Sequence, residues 1–350
     1  MFPYWLLFGI CALGALVTHR PRRAESTTQV YLAFIGLAIF LMIGLRDQVG
    51  GDWFSYVNLV KRVELVGFFG SIGKTDPGYV ALNWVAGQMG GGLWLVDLFC
   101  AGIFTAGLIS FCSNQPNPWL ALVVAVPYLI IVVAMGYTRQ AVAIGLVMFA
   151  LSARRYVSLM RVAVFVALAA AFHKTAIIAF PLIASSRTTN RYVLALIVTC
   201  TAILLYYVFL SSSVDSLLQN YVTAKYSSEG ATIRIGMDLV GALLFFASRK
   251  RLSLTIAEEH LWRNFSIATL ALTALLLISP SSTAVDRLAL YIIPLQLLVL
   301  SRLPLAWGRG NIGTMSLSAA VIGYSGLVQY IWLTYAVNAV AWLPYRAIWF

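Results

Sequence analysis

Charged residues are scarce in this sequence. Asp, Glu, Lys and Arg make up only 10% of its 350 residues, whereas a soluble domain carries about 25%. Hydrophobic residues reach 61%, and apolar runs of about 17 to 25 residues recur, as membrane-spanning helices require. The runs are continuous and do not alternate with polar residues, which excludes a transmembrane barrel. The composition predicts an all-α polytopic integral membrane protein, a single bundle of roughly 10–12 transmembrane helices with short interfacial or re-entrant helices on the outer side.

The familiar motifs of soluble enzymes are also missing. There is no HExxH, GxSxG or phosphate-binding loop, so metallopeptidase, α/β-hydrolase and ATPase functions lack support. The four cysteines have no CxxC spacing and fall within or at the ends of apolar runs, so we interpret them as small core residues: Cys11, Cys100, Cys112 and Cys200. No metal-binding cluster is apparent, and no cofactor is predicted.

Acidic residues are few, 12 against 24 basic ones, which leaves a net charge of +12. This excess does not indicate nucleic acid, because most basic residues lie in short loops, where they orient the helices. The cluster from His19 to Arg23 predicts a cytoplasmic first loop and an external N-terminus. The same rule predicts two external segments, residues 46–90 with interfacial helices and residues 211–238, and an external tail at Trp342 to Arg346.

A polar triplet, His173-Lys174-Thr175, interrupts the apolar stretch from Val162 to Ala184. Interpreted as one helix, this stretch would place the following basic clusters outside. Interpreted as two half-length helices that meet at His173, it returns those clusters to the cytoplasm, which we prefer. A break of this kind is tolerated in a membrane only where it faces protein or a water-filled cavity.

Ionisable side chains within or beside apolar segments are costly, so each is a functional candidate. Those on the predicted outer side are Arg46, Asp52, Arg139, His173, Lys174, Lys225, Arg234, Asp286 and Arg287. Several arginines together suit a phosphate group, because the guanidinium donates two parallel hydrogen bonds. The structural alternatives are that Arg46 and Arg287 reach lipid headgroups and that His173 stabilises the helix break. For Asp97, packing and function stay equally open.

An outward cationic cavity suits a polyprenyl pyrophosphate, with its tail in the bilayer and its phosphates against the arginines. The aromatic residues near the predicted mouth suit sugar rings, although aromatic belts also form without any ligand. These residues are Trp53, Tyr56, Tyr79, Trp84, Tyr221 and Tyr226.

An ordered set of short motifs carries a family resemblance. The motifs are Arg46-x3-Gly50-x-Asp52-x3-Tyr56, Pro77-Gly78-Tyr79-x3-Asn83, Arg139-Gln140-x-Val142-Ala143, Phe172-His173-Lys174-Thr175-Ala176 and Asp286-Arg287-x3-Tyr291. Their order along most of the chain resembles the EpsG family of Wzy-type polysaccharide polymerases. One departure is Asp76, which stands where the family pattern has a Glu close before the aromatic residue.

The resemblance implies a glycosyltransferase that polymerises undecaprenyl-pyrophosphate-linked oligosaccharides into O-antigen or exopolysaccharide. It implies a site on the outer face of the bacterial cytoplasmic membrane, a GT-C-like architecture, and a chain-length regulator as a further partner beside membrane lipid. Because no metal cluster is apparent in the sequence, metal-independent catalysis is predicted. The pyrophosphate would meet Arg46, Arg139, Lys174, Lys225, Arg234 and Arg287. The sugars would meet Trp53, Tyr56, Asp76, Tyr79, Tyr226, Asp286 and Tyr291. Asp52 and His173 are both candidate bases; we favour Asp52 for the acceptor hydroxyl and His173 for phosphate contact.

Other functions stay open on the residues alone. A ligase of the O-antigen type would share the donor but need a larger external loop than residues 211–238. A flippase for the lipid-linked sugar would distribute charges through both halves of the bilayer. A membrane acyltransferase would use the histidine but leave the ordered arginines unexplained.

Overall fold

The computed structural model describes residues 1–18, 26–73, 75–152, 158–186, 192–193, 195–196, 199–200, 203, 230–279 and 282–348. Regular structure in these ranges is helical. Its first half comprises α1 (Phe2–Val17), α2 (Ser26–Gly44), α3 (Trp53–Ser71), α4 (Pro77–Gln88), α5 (Gly92–Cys112), α6 (Pro118–Ala125), a π-helix (Val126–Ala134) and α7 (Thr138–Leu151).

The second half contains the broken segment and the last four long helices. Its elements are α8 (Leu159–Phe172), a 3-10 turn (Lys174–Ile178), α9 (Ala179–Ala184), α10 (Ala231–Ser248), α11 (Ile256–Ile278), α12 (Ser282–Ala289), α13 (Ile293–Trp307) and α14 (Gly310–Tyr335). A 3-10 turn at Leu290–Ile292 joins α12 to α13, and another at Val337–Ala341 follows α14.

The predicted fold class is confirmed. Among the described residues, five helical segments are long and apolar enough to cross a membrane: Gly92–Cys112, Ala231–Arg251, Ile256–Ile278, Ser282–Trp307 and Gly310–Tyr335. Shorter apolar helices pack beside them. The protein is therefore an all-α, multi-pass membrane protein.

The centre of the bundle is α6 with the π-helix that continues it. Every residue of Pro118–Ala134 is buried, as expected for a helix that is hydrophobic on all sides. Helix α7 follows and packs against α5 through two glycines, since a Cβ on either Gly107 or Gly145 would overlap the backbone of the other helix. The loop at 135–137 thus delivers α7, with Arg139 in its first turn, to the end of a closely packed core.

The predicted helix break at His173 is confirmed. Helix α8 ends at Phe172, His173 adopts an extended backbone (φ −154°, ψ 111°), and α9 turns back to pack against α8. The predicted external segment 46–90 contains two short helices, α3 and α4. The segment 211–238 is shorter than predicted, because α10 already begins at Ala231; residues 211–229 lie outside the described ranges.

The C-terminal segment, predicted to be an external tail, packs against the rest of the protein. Trp342 is 1% exposed, and its indole Nε1 donates to the carbonyl of Ile131 at 2.8 Å. Tyr4 donates its hydroxyl to the carbonyl of Trp342 at 2.8 Å. Backbone hydrogen bonds also join Asp47 and Gly50 to this segment. Trp342 is therefore part of the core, and the segment around it holds the loop that precedes α3.

Candidate active site

Several polar segments meet at one end of the bundle, which we call the site end. They are the loop at 45–52, the turn at 75–76, the start of α7, the break at His173 and the start of α12. The hydrogen bonds and electrostatic interactions described below connect all five. The sequence had placed these segments on one side of the membrane, and the structure brings them together.

Arg46 is completely enclosed by protein. Its guanidinium donates to Asp97 Oδ1 at 3.0 Å, to the Thr138 hydroxyl at 2.8 Å, and to the carbonyls of Ile43 and Val49. It is 1% exposed, so no face is left for a ligand. Arg46 therefore ties the end of α2 to α5 and α7 beneath the site, and its predicted contact with pyrophosphate stays a prediction.

Arg139 is the arginine that reaches the surface of the site. Its Nη1 donates to Asp76 Oδ2 at 2.8 Å and to the Thr75 hydroxyl at 2.6 Å, and its side chain is 31% exposed. Asp76 also accepts from the backbone N–H of Lys174 at 3.3 Å. Asp76 therefore holds Arg139 and the helix break together, and its predicted sugar contact stays a prediction.

His173 is oriented by its neighbours. The Thr175 hydroxyl lies 2.7 Å from Nδ1, and the Thr175 backbone N–H points at the same nitrogen at 3.4 Å. The Thr175 hydroxyl also lies 3.3 Å from the Tyr291 hydroxyl. Because a backbone donor faces Nδ1, the geometry favours the tautomer with its proton on Nε2. That nitrogen would act as a donor toward the cluster, whose cations Arg139, Arg287 and Lys174 all influence the ring.

Asp52 stands at the start of α3, partly exposed, and caps no backbone N–H. It makes no side-chain hydrogen bond to any residue that the structure describes, whereas Asp76, Asp97 and Asp286 are each paired with an arginine. Burial raises the pKa of the Asp52 carboxyl, and the positive charges of Arg139 and Arg287 lower it. Asp52 is thus a carboxylate within reach of two cations and open to a substrate.

Two further ionic residues lie on α12. Gln140, beside Arg139, donates to the backbone carbonyl of Arg287 at 2.6 Å, which fixes the exposed Arg287 beside the site. Asp286 forms a two-point ion pair with Arg234, with Nε 2.5 Å from Oδ1. The predicted cationic role of Arg234 therefore includes a carboxylate partner, and the predicted sugar contact of Asp286 stays a prediction.

The predicted sugar platforms lie deeper than expected. Trp53 is 8% exposed, Tyr56 4%, and Tyr79 and Tyr291 are both fully buried. The Tyr56 and Tyr79 rings contact each other at 5.5 Å, and Tyr56 lies under Arg139 at 6.0 Å. The predicted sugar contacts of these four residues stay predictions, and Tyr56 supports the Arg139 side chain from below.

Two predicted residues, Lys225 and Tyr226, lie outside the described ranges. Sequence reasoning missed Thr75 and Tyr137 and left the role of Asp97 open. Gln140 was a detectable signal, since it directly follows Arg139 in one of the family motifs. Within the described residues, no group of three or more His, Cys, Asp or Glu side chains could hold a metal ion.

The chain also matches a known protein family. Residues 29–347 match the EpsG family, a range that contains every residue of the cluster. No curated protein and no solved structure matches the chain. Since the match covers nearly the whole sequence, the chain belongs to the EpsG family, whose members are Wzy-like polysaccharide polymerases.

Proposed function

We propose that this protein lengthens a glycan by transferring it from an undecaprenyl diphosphate carrier to a sugar hydroxyl of the next lipid-linked repeat unit. The observation that carries the proposal is the Asp52 carboxylate, which has no ion-pair partner among the described residues and lies within the fields of Arg139 and Arg287 at the site end. A base beside a cluster of cations is what this transfer needs: one group accepts the acceptor's proton, and the others stabilise the departing diphosphate.

The reaction forms one bond and breaks one. The acceptor hydroxyl oxygen attacks the anomeric carbon of the donor sugar, while the bond from that carbon to the diphosphate oxygen breaks. The bonding electrons leave with the carrier diphosphate, and the hydroxyl proton passes to the base. No oxidant or nucleotide is required for this balance. We further propose that the transfer is metal-independent, because Arg139 and Arg287 can supply the positive charge that a metal ion would otherwise provide.

Asp52 is better suited than His173 to accept the proton. The side-chain oxygens of Asp52 make no hydrogen bond to a described residue, and its pKa is raised by burial, which makes it a stronger base than an ordinary aspartate. His173 is engaged through Nδ1 with Thr175, and the tautomer that this favours offers Nε2 as a donor. A donor is the appropriate partner for a phosphate oxygen, so His173 belongs to leaving-group stabilisation.

Arg139 and Arg287 carry the charge that the leaving group needs. Arg139 keeps part of its guanidinium exposed while Asp76 and Thr75 orient Nη1. Arg287 is exposed and is held through its backbone by Gln140. Cations already positioned beside the departing diphosphate stabilise its developing negative charge.

We further propose that the site end faces the periplasm, with the bundle in the cytoplasmic membrane. At the opposite end, Arg251 stacks on Trp307 with its Cζ 4.0 Å from the ring centroid, and Arg249 pairs with Glu259 at 3.8 Å. A basic end of this kind is typical of the cytoplasmic side.

The test uses the purified protein in nanodiscs with a lipid-linked repeat unit, a chelator, and no nucleotide sugar. A product ladder on a gel is expected from the wild type, and Arg139→Ala should reduce its rate at least 100-fold. Arg249→Ala is the matched control, because it removes an exposed, carboxylate-paired arginine at the other end, and should leave the rate within about twofold.

Two outcomes would overturn the proposal. Binding of the native lipid-linked repeat without any lengthening would favour transport. Transfer of a single glycan to a foreign acceptor, with no ladder, would favour a ligase. A ladder that disappears with the chelator and returns with added metal would refute only the proposed metal independence and would retain the polymerase function.

A further inference from the structure

A cavity of about 360 Å³ lies beside the ionic cluster, between α10 and α14. Both helices pack against α13, and they pack against each other at most weakly. The gap between their ends is closed on the inner side by the π-helix, through Tyr128 and Val132. Two candidate spanning helices therefore flank a pocket that no helix described in the structure fills.

The rim of this cavity is apolar and exposed. Ile233 on α10 is 65% exposed, Ile331 on α14 is 44% exposed, and Val337 after α14 is 71% exposed. All three line the cavity. Because α10 and α14 are long and apolar enough to span the membrane, a rim of aliphatic side chains between them opens toward the hydrocarbon phase. Such a pocket favours a hydrocarbon chain over a hydrophilic ligand.

The inner wall of the cavity is different in character. The Tyr128 side chain is 7% exposed, and its hydroxyl has no hydrogen-bond partner among the described residues. Arg234 lies over the Tyr128 ring, with Cζ 5.8 Å from the centroid. A buried hydroxyl without a hydrogen-bond partner is costly, and a polar group of a ligand could supply the missing hydrogen bond. The pocket is thus apolar at its mouth and polar at its inner wall.

Tyr137 connects this polar wall to the active site. It lines the cavity, and the charges of Asp52, Asp286 and Arg287 all act on its hydroxyl. A ligand whose chain occupies the cavity would therefore present its head group beside Arg287. This arrangement matches an amphiphile whose reacting group adjoins an apolar chain.

We propose that the cavity between α10 and α14 holds the isoprenoid segment next to the diphosphate of the donor's polyprenyl carrier. This inference rests on the proposed function, and it adds the site that receives the carrier's chain. The cavity is near the lower limit of about 300 Å³ for ligand pockets, so it accommodates a short part of the chain and leaves the remainder in the bilayer. The diphosphate then lies at Arg287 and Arg139, where its bond to the sugar breaks.

The experiment measures binding, separately from lengthening. Radiolabelled undecaprenyl diphosphate without sugar is titrated against the purified protein in phosphatidylcholine nanodiscs. Ile331→Trp fills the mouth of the cavity and should weaken binding at least tenfold. Leu327→Trp is the matched control, because Leu327 is a similarly exposed aliphatic residue of α14 (55%) that does not line the cavity. It should bind within about twofold of the wild type.

Each outcome decides the inference. Equal affinity for both tryptophan variants would overturn it, and so would displacement of the carrier by an equal concentration of phosphatidylglycerol, which would mark a general lipid site. If Ile331→Trp fails to fold, Val337→Trp replaces it, since Val337 is more exposed. Selective loss of binding without any lengthening by the wild type would refute the polymerase proposal and retain the carrier site. Lengthening by the wild type with unchanged binding by Ile331→Trp would refute the carrier site and retain the polymerase proposal.

Discussion

Arg46 and Asp97 form an ion pair in the interior of the bundle, with Nη2 3.0 Å from Oδ1 and neither side chain more than 1% exposed. The remaining guanidinium donors are used by Thr138 and by two backbone carbonyls. Burial of two charges is stable only when they are paired and hydrogen-bonded. The pair therefore joins three helices beneath the site end. Its loss should lower the stability of the protein rather than weaken substrate binding.

Removal of one partner should be more damaging than removal of both. Arg46→Met leaves Asp97 as an unpaired buried carboxylate, and we expect a loss of about 3–5 kcal/mol in stability. Asp97→Leu leaves the opposite charge and should cost a similar amount. The double variant Arg46→Met/Asp97→Leu should be more stable than either single variant. Thermal unfolding in detergent, monitored as the loss of soluble protein, checks this order of stability among the variants.

Two results would contradict this assignment of Arg46. One is a stable Arg46→Met protein that has lost only its affinity for lipid diphosphate. The other is additive destabilisation in the double variant, since residues that act as a pair are expected to be non-additive.

Much of the fold could be predicted from local pattern. The apolar runs indicated helix positions, and the break at His173 followed from the basic loops on either side. The burial of Arg46 could not be predicted, because its partner Asp97 is 51 positions away and their contact depends on the packing of α2 against α5. The C-terminal contact of Trp342 with Ile131 spans 211 positions and was missed for the same reason. Local sequence indicates which side chains are costly in a membrane, whereas their partners are set by tertiary packing.

Asp52 should produce an acidic limb in the pH dependence of the transfer rate. A base works as a carboxylate, so its activity is lost as the pH falls through its pKa. Burial raises that pKa, so the decline should begin above the ordinary value of about 3.9 for aspartate. Asp52→Glu should retain an acidic limb, and Asp52→Asn should lose at least 100-fold in rate without one. Initial rates of ladder formation from pH 4 to pH 8 provide the measurement. A wild-type limb that persists unchanged in Asp52→Asn would assign the titration to another group.

Asp76 should behave as a positioning residue for Arg139. Asp76→Asn keeps an oxygen that can accept from Arg139 Nη1 but removes the charge, and kcat should fall roughly tenfold while KM changes little. Thr75→Val removes the second acceptor of the same nitrogen and should have a smaller effect. In the Arg139→Ala background, Asp76→Asn should add almost nothing, because the group that it positions is gone. Steady-state kinetics of the wild type, the three single variants and the double variant test this. A full independent effect of Asp76→Asn in the Arg139→Ala background would assign Asp76 a direct contact with substrate.

The glycine pair before α3 offers a test of how the Asp52 loop is held in place. Gly50 has a φ of 113°, a conformation that side chains disfavour, and a Cβ there would overlap the carbonyl of Met135. Gly51 has no such restriction, because a Cβ at that position would meet its nearest neighbour, the Trp342 ring, at 3.5 Å, which is an ordinary contact. Gly50→Ala should therefore cost about 1–3 kcal/mol in stability. It should also move Asp52 away from Arg139 in the first turn of α7, with a large loss of activity. Gly51→Ala should leave both quantities nearly unchanged, although it lies one residue closer to Asp52. The unfolding temperature and the polymerisation rate of the two variants test this difference. Equal effects of both substitutions would mean that general loop mobility, and not the close approach of Gly50 to Met135, sets the geometry of the site.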